Sequence, residues 1–312
     1  MVIVISRFFF AFIILKLMMF SSCSRDSQEE KQAMDSLTIE YTPAVLIDQL
    51  PQVIPETSGM AEFDGLFWTI NDSGGMNVLY GFDKQSGEIK RAVEITNALN
   101  YDWESLASDA SFFYIGDVGN NDGMRNDLVI YKVSKTQLLQ GSINATAEKI
   151  SFSWSDQKYF VNARNANPYD CEAILSFGDS LILFAKDWVT ENTRMYVLPK
   201  TPGNYVARLT ASFAASGLIT GADISPDGKV LVLSGYHDYS PFLWLMWGFD
   251  DKNFFESEKL RVEYPDFFSA QTEGVLFSGN DSIIVSAART RDLPQRLYYF
   301  SLKELLSAAE RE

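Results

Sequence analysis

The sequence predicts an all-β protein built from a four-stranded unit that repeats along the chain. Two segments indicate the repeat, NYDWESLASDASFFYIGDVGNN at 100–121 and YDCEAILSFGDSLILFAKDW at 169–188. Each has an acidic residue before an apolar strand, then a tight polar turn and a second apolar strand. Apolar alternation and turn spacing persist through the chain, and no long stretch with a helical period interrupts them.

Five segments fit this plan, and they open at Glu56, Glu104, Glu172, Thr220 and Glu273. Each contains a hairpin turn with the residues that such turns favour. These turns are Phe63-Asp64-Gly65, Ser108-Asp109, Gly178-Asp179, Pro226-Asp227-Gly228 and Gly279-Asn280-Asp281. Further strands follow in each segment, such as Leu128 to Val133 and Ile150 to Trp154 in the second. Four-stranded units that repeat every ~40–50 residues are typical of a β-propeller.

Five blades are favoured, with six as the alternative. The interval from Glu104 to Glu172 is longer than its two neighbours by about 20 residues, which is too few for a four-stranded blade. We therefore interpret Ser134 to Ala147 as a longer connection. The last segment lacks a fourth strand, and residues 37–55, through Leu37 to Tyr41, are predicted to supply it. The ring would then be closed by an N-terminal strand, which removes exposed edges.

The N-terminus is predicted to lie outside the propeller. Residues 1–22 combine Arg7 with an apolar run and end before Cys23, as in a lipoprotein signal peptide. The alternative is an uncleaved anchor helix, although Lys16 shortens the apolar run. We expect lipid on Cys23, a flexible tether over 23–36 and one β-propeller domain over 37–312. This predicts a bacterial cell-envelope protein, anchored at the outer membrane or cell surface.

The net charge of the chain limits which classes of partner are expected. The chain has 41 acidic and 26 basic residues, and loss of Arg7 and Lys16 with the signal peptide makes the net charge more negative than −15. Nucleic acid is therefore not expected, because phosphate binding needs a basic face. We expect a monomer. Cys171 is the only cysteine besides Cys23, so we expect a buried side chain with a reactive thiol as the alternative.

The aligned repeats place Glu56, Glu104, Glu172 and Glu273 at the start of the innermost strands, around the central channel. Calcium is the candidate ion, since it is hard and takes 6–8 oxygen ligands. The alternative is that each Glu accepts hydrogen bonds from backbone amides and joins adjacent blades. The pairs Tyr101-Asp102 and Tyr169-Asp170 precede two of these acids, so an ion or substrate is expected on their side of the axis.

Loops that leave the second strands are expected to carry ligand-binding residues. The predicted ligand-binding set combines these loops with the channel acids and consists of Glu56, Asp72, Asp117, Asn121, Arg125, Lys186, Glu273 and Arg289. The basic members could neutralise the acids or hold an anionic ligand. If catalysis occurs, the candidates are Glu104, Glu172, Asp102 and Asp170.

Six segments carry a resemblance to known proteins: ETSGM, NDSGG, YDWESLA, YIGDVGNN, YDCEAIL and LITGADISPDGK. They resemble a group of uncharacterised bacterial β-propeller lipoproteins and, more loosely, the SdiA-regulated and phytase-like propeller families. The phytase-like resemblance implies calcium in an acidic channel and basic residues for phosphate, but this chain has no dense Lys/Arg cluster. The resemblance also implies six blades.

Two functions are compatible with these observations. The first is an envelope-tethered binding or scaffolding propeller, with a glycan, peptide or small-molecule ligand at the acidic channel or the loop face. The alternative is a calcium-dependent or carboxylate-based hydrolase that acts on a phosphoester, ester or glycoside. Because propellers host many functions, the fold does not decide between them.

Overall fold

The computed structural model describes residues 36–139 and 141–311. The predicted signal peptide, the lipidation site Cys23 and nearly all of the predicted tether lie outside these residues. No helix within the described ranges is both long enough and apolar enough to cross a membrane.

The described part of the chain is almost entirely β-strand and contains five antiparallel groups of four strands. The first group is β3 (Thr57–Phe63), β4 (Leu66–Asn71), β5 (Val78–Asp83) and β6 (Ile89–Ile95). The second is β7 (Trp103–Ser108), β8 (Phe112–Asp117), β9 (Val129–Ser134) and β11 (Ala147–Trp154). The third is β12 (Asp170–Phe177), β13 (Ser180–Lys186), β14 (Thr193–Pro199) and β15 (Gly203–Phe213).

The last two groups follow the same plan. The fourth is β16 (Leu218–Ile224), β17 (Val230–His237), β18 (Ser240–Trp247) and β19 (Glu258–Glu263). The fifth is β20 (Thr272–Ser278), β21 (Ser282–Ala287) and β22 (Arg296–Ser301), completed by β2 (Ala44–Ile47). The remaining elements are β1 (Leu37–Glu40), β10 (Asn144–Ala145), α1 (Thr136–Leu139), α2 (Leu302–Ala309) and two short 3₁₀ helices, Phe254–Glu256 and Pro265–Phe267.

The first strands of the five groups form a closed ring. β3 contacts β7, β7 contacts β12, β12 contacts β16, β16 contacts β20, and β20 contacts β3 again. The C-terminal parts of all five strands line one cavity of about 200 Å³, which therefore lies at one end of the central axis. A ring of antiparallel sheets around a common axis is the architecture of a β-propeller.

The hydrophobic core is divided among the interfaces between neighbouring groups. Each of five buried clusters combines side chains of two adjacent groups within the described residues. At the interface between the first and the last group, Phe67 and Phe82 pack with Leu276, Ile284 and Leu297. Each group therefore buries both of its faces, which explains why its central strands are continuously apolar.

The inner hairpin turns lie where the sequence predicts them. Asp64 and Gly65 connect β3 to β4 with φ values of +51° and +75°, which is the conformation that a two-residue hairpin requires. The C-terminal segment from Leu302, predicted to be helical, forms α2, and Ser301 accepts a hydrogen bond from Glu304 N as its N-cap.

The closing strand differs from the prediction. β2, not Leu37 to Tyr41, pairs antiparallel with β22 and supplies the fourth strand of the last group. β1 instead pairs parallel with β19 and adds a fifth strand to the fourth group. β1 (LTIE) and β2 (AVLI) are both four-residue strands, and their partners depend on contacts that local sequence does not specify.

The longer interval before Glu172 is only partly explained by residues 134–147. Those residues contain α1 and β10, and β10 pairs parallel with β6 of the first group. A second long connection runs from Trp154 to Asp170 and has no strand of its own. β11 and β15 also pair in parallel, so the second and third groups form one continuous sheet.

Candidate functional site

Each inner strand has a bulge near its N-terminal end, opposite the end that lines the 200 Å³ cavity. The register shifts by one extra residue between Trp103 and Ser105, and between Cys171 and Ala173. The same shift occurs at the corresponding positions of β3, β16 and β20. A bulge changes the direction in which a side chain points, and here it places Glu104 and Glu172 at the extra positions.

The structure brings seven predicted carboxylates together at this end of the axis. We call this set the acidic mouth, and its members are Asp72, Asp102, Glu104, Asp117, Asp170, Glu172 and Glu273. They are linked by mutual electrostatic repulsion, most strongly around Glu104, where Glu172, Asp72, Asp102 and Asp170 all act on one carboxyl group.

The tightest part of the acidic mouth consists of Asp72, Asp102 and Glu104. One carboxylate oxygen from each lies within 4.8 Å of the others. Glu104 is only 4 % exposed, and no donor among the described residues hydrogen-bonds its carboxylate. Burial, followed by the charges of Glu172 and Asp72, raises the pKa of Glu104 well above its usual range. Burial and the charge of Asp72 also raise the pKa of Asp102 to about 7.

Hydrogen bonds fix the loops that carry this trio. Asn100 Nδ2 donates to the carbonyl oxygens of Asn71 at 3.0 Å and Asp72 at 3.1 Å. The backbone N–H of Asp102 donates to Asp117 Oδ1 at 3.1 Å. Gly119 packs directly against both acids of β7, because an added Cβ would overlap the Asp102 carboxylate and lie 2.8 Å from Glu104 Cγ. The three carboxylates are therefore held by a rigid backbone.

Glu172 differs from Glu104 because it has a cationic partner. Lys186 Nζ lies 2.5 Å from Glu172 Oε1, and both side chains are buried. Trp188 and Tyr236 cover the ammonium group, with ring centroids 4.6 and 5.2 Å from Nζ. Burial alone would lower the pKa of Lys186, but the nearby Glu172 carboxylate outweighs it and raises that pKa. Glu172 Oε2 is buried and has no hydrogen-bond partner among the described residues.

A second cation lies on the other side of the acidic mouth. Arg125 Nη1 donates to Asp117 Oδ1 at 2.9 Å, and the guanidinium lies 4.6 Å from the Tyr101 ring centroid. Burial raises the pKa of Asp117 although Arg125 opposes the shift. Arg125 therefore neutralises the charge of Asp117, and Asp117 in turn fixes the backbone of Asp102.

Asp170 and Glu273 are engaged by neighbouring residues. Asp170 Oδ1 accepts from the backbone N–H groups of Asn120 at 2.7 Å and Cys171 at 3.1 Å, and its Oδ2 accepts from Trp188 Nε1 at 2.8 Å. Glu273 Oε1 accepts from Gln271 Nε2 at 2.7 Å. Burial raises the pKa of Glu273 to about 7, opposed mainly by Lys186.

Three predicted residues do not join the acidic mouth. Glu56 is exposed and precedes β3, and the bulge position of that strand is occupied by Ser58. Arg289 is also exposed, and its charge acts on Glu56. Asn121 supports the loop, since its carbonyl accepts from Asn165 N and Asn167 Nδ2. Glu56 nevertheless interacts electrostatically with Asp72 and Glu273, so it borders the acidic mouth without taking the bulge position that Glu104, Glu172 and Glu273 occupy.

Hydroxyl groups, not the glutamates, connect the backbones of adjacent groups. Within the described residues, the carboxylates of Glu104, Glu172 and Glu273 accept no backbone hydrogen bond. Instead, Ser105 Oγ accepts from Ile174 N at 3.0 Å, and Ser286 Oγ donates to the carbonyl of Thr57 at 2.9 Å. The alternative in which each Glu joins adjacent blades through backbone amides is therefore wrong.

Some residues of the site carry no distinctive sequence signal. Gln271, Asn100 and Gly119 belong to loops that contain no recognisable binding motif. Trp188 and Tyr236 are visible as aromatic residues, but the contact of Tyr236 with Lys186 depends on how the third and fourth groups meet.

An open cavity of about 330 Å³ adjoins the acidic mouth. Tyr236 and Gln271, which contact Lys186 and Glu273, form one side of it. Tyr239 and Arg291 contribute an exposed aromatic ring and a cation. This cavity offers apolar and polar surface next to the carboxylates.

No protein-family model matches the sequence, and no curated protein matches it either. Solved structures with similar folds include hydrazine synthase from Kuenenia stuttgartiensis, at 9 % identity over 84 % of this chain and 81 % of the other, with a TM-score of 0.46. A Bacteroides fragilis protein assigned as exported matches at 9 % identity over 86 % and 99 %, with a TM-score of 0.41. The Dos1 propeller matches at 13 % identity over 86 % and 61 %, with a TM-score of 0.39. No conclusion about ligand or activity rests on these likenesses.

Proposed function

We propose that this protein is a binding protein of the cell envelope that holds a cationic ligand group in the acidic mouth. One observation carries the proposal: Glu104 is buried among other carboxylates and has no donor or cation of its own within the described residues. A cationic group beside Glu104 would relieve this repulsion.

The charge balance of the site supports a cation. Seven carboxylates converge, whereas two cationic side chains of the described chain, Lys186 and Arg125, form ion pairs with them. Lys186 is already engaged by Glu172, and Arg125 by both Asp117 and Asp127. Buried charges that lack partners are costly, so the site is more stable with a proton or a bound cation than with neither.

The adjoining cavity supports a ligand with an organic part. A metal ion, an ammonium group or a guanidinium group could each satisfy the carboxylates, and the 330 Å³ cavity has room for a small organic body. The exposed ring of Tyr239 provides a surface against which such a body could stack.

We further propose that each four-stranded group is one blade, so that the ring has five blades closed by β2. Lipid on Cys23 would attach the protein to a bacterial membrane, with the segment before the first strand as the tether. Mass spectrometry for a lipidated N-terminal Cys23 tests the anchor, and an unprocessed Met1 would contradict it.

The binding proposal is tested by calorimetric titration of the full chain in detergent with calcium, spermidine and a lysine-rich peptide. At least one cation should bind, and the variant Glu104→Gln should weaken that cation by about tenfold or more, because it removes the uncompensated charge. The matched control is Glu258→Gln, which removes an exposed acid on β19, outside the acidic mouth. The proposal fails if no cation binds to the wild type, or if Glu104→Gln and the control variant bind the cation with the same affinity.

A hydrolase remains the second candidate because two acids of the site keep protons near neutral pH. The pKa values of Asp102 and Glu273 are both raised to about 7, the range in which a carboxyl group acts as a general acid. A screen of phosphoesters, esters and glycosides tests this alternative. Turnover by the wild type that is lost in Asp102→Asn would favour the hydrolase. If none of these substrate classes is turned over, binding is the function that stands.

A further inference from the structure

We infer that Asp72, Asp102 and Glu104 form a site for a hard divalent cation, for which calcium is the best fit. This inference rests on the proposed function and identifies the ligand that occupies the acidic mouth. The three carboxylates contribute one oxygen each within 4.8 Å of one another, which is the spacing of ligands around a single ion.

A second observation is independent of the clustering of acids. Glu104 is 4 % exposed, and its carboxylate points at those of Asp72 and Asp102 without a hydrogen-bond partner among the described residues. Glu172 Oε2 is also buried and lacks such a partner. Native proteins rarely leave buried carboxyl groups without donors, so the unpartnered Glu104 side chain indicates a bound group.

The donor set selects the class of cation. All three candidate ligands are carboxylate oxygens, which suit calcium, magnesium and manganese and not the softer transition metals. The single histidine, His237, pairs with Glu191 at 2.8 Å on an exposed strand end, and Cys171 is buried with no exposed surface. A zinc site with nitrogen or sulfur ligands is therefore not formed around Glu104.

The surroundings resemble the supporting shell of a metal site. Asn100 ties the Asp72 loop to the start of β7, and Asp117 holds the backbone of Asp102. Arg125 binds Asp117 and so keeps that acid from competing for the ion. Lys186 does the same for Glu172. Cations thus engage Asp117 and Glu172, whereas no cation of the described residues forms an ion pair with Asp72, Asp102 or Glu104.

Calcium is favoured over magnesium because it tolerates irregular ligand sets, and these carboxylates come from two separate segments of the chain. Asp72 follows β4, Asp102 precedes β7, and Glu104 lies on the bulge of β7. Calcium accepts irregular arrangements of 6–8 oxygens, and bidentate carboxylates with water would complete the shell.

The test is calorimetric titration of the full chain in detergent with calcium chloride after removal of metals by a chelator. We expect one ion per chain with a dissociation constant below ~1 mM, and a rise in melting temperature that chelator reverses. Asp72→Asn and Glu104→Gln should each weaken calcium binding at least about tenfold, whereas Glu258→Gln, on the outer strand β19, should not change it.

Melting in excess chelator separates loss of the site from loss of the fold. Glu104→Gln keeps the side-chain shape and removes a buried uncompensated charge, so it should melt at or above the wild-type temperature. Calcium should then raise the melting temperature of the wild type and not that of the variant. Equal calcium responses in both proteins, or no calcium binding by the wild type, would overturn the inference. If spermidine or the peptide binds while calcium does not, the metal site fails and the proposed cation binding stands.

Discussion

Three buried acids of the acidic mouth differ in how their charge is compensated. Glu172 has the ammonium group of Lys186, and Asp170 accepts three hydrogen bonds from the protein. Glu104 has neither within the described chain, and the charge of Glu172 is the largest electrostatic cause of its raised pKa. The uncompensated charge of the site is therefore concentrated on Glu104. Its carboxylate is the group that a proton, a metal ion or a cationic ligand would neutralise.

We predict that Lys186→Met destabilises the protein by about 3–5 kcal/mol, because it leaves the buried Glu172 carboxylate without its cation. Urea unfolding of wild type and variant measures this cost. The double variant Lys186→Met/Glu172→Gln should recover much of the loss, since the uncompensated charge is gone. A loss below ~1 kcal/mol in the single variant would show that the pair is not buried as described.

A second prediction concerns Asp223, near the cavity at the opposite end of the axis. Burial raises the pKa of Asp223 to about 7, and its Oδ2 accepts from Phe277 N at 2.7 Å. In the unfolded chain the group titrates at about 3.9. Between these values the native state binds more protons, so its contribution to stability falls as pH rises from about 4 to 7.

Asp223→Asn should therefore weaken this pH dependence. It should also stabilise the protein at about pH 8, by on the order of 1 kcal/mol, because the partial exposure of the carboxylate limits the cost of its charge. Melting temperatures of both proteins across this range provide the measurement. Parallel pH profiles for wild type and variant would contradict the raised pKa.

The bulge at the start of each inner strand is the element that builds the site. It moves one residue per strand out of the regular alternation, and three of these residues are acids. The residue after the bulge must be small, because the neighbouring inner strand lies against it. An added Cβ on Gly59 would overlap the backbone nitrogen of Leu106, and one on Gly221 would overlap the carbonyl oxygen of Glu273.

Gly59→Ala should consequently destabilise the protein by about 3 kcal/mol or more, since backbone must move to admit the methyl group. Gly65→Ala is the matched control, because its added Cβ has open space and only the φ of +75° is unfavourable, at about 1 kcal/mol. Chemical denaturation of both variants measures the difference. Equal losses of stability in the two variants would mean that β3 and β7 lie too far apart for the added methyl group to meet Leu106.

Much of this architecture can be predicted from sequence, because apolar alternation and turn residues are local signals. The bulge is not such a signal, so alignment by acids selects Glu56 where the strand places Ser58. Likewise, Asp102 and Asp170 occupy matching Tyr-Asp pairs, yet one faces Glu104 and the other accepts hydrogen bonds from distant backbone. These roles depend on contacts between groups, which sequence spacing does not specify.

Closure joins the two ends of the described chain into one ring. β2 lies beside β22, so a segment near the start of the described residues completes the group nearest their end. Each group packs against each of its two neighbours through one core cluster. If β2 no longer pairs with β22, both β22 and the interface between the first and last groups become exposed. Stability should therefore depend far more on β2 than on β1.

We predict that removal of residues through Asp48 lowers the melting temperature much more than removal through Thr42, which deletes β1 and keeps β2. The shorter deletion loses one outer parallel strand, whereas the longer one opens the ring and leaves an edge prone to association. Thermal unfolding and light scattering compare the two. Similar melting temperatures for both deletions would argue against closure through β2.

The acidic mouth itself can be examined most directly by crystals of the protein grown with calcium, using anomalous scattering to locate the ion. We predict a peak between Asp72, Asp102 and Glu104, about 2.3–2.6 Å from one carboxylate oxygen of each. A map without such a peak, in which a donor from the protein or only water contacts the Glu104 carboxylate, would contradict the cation site.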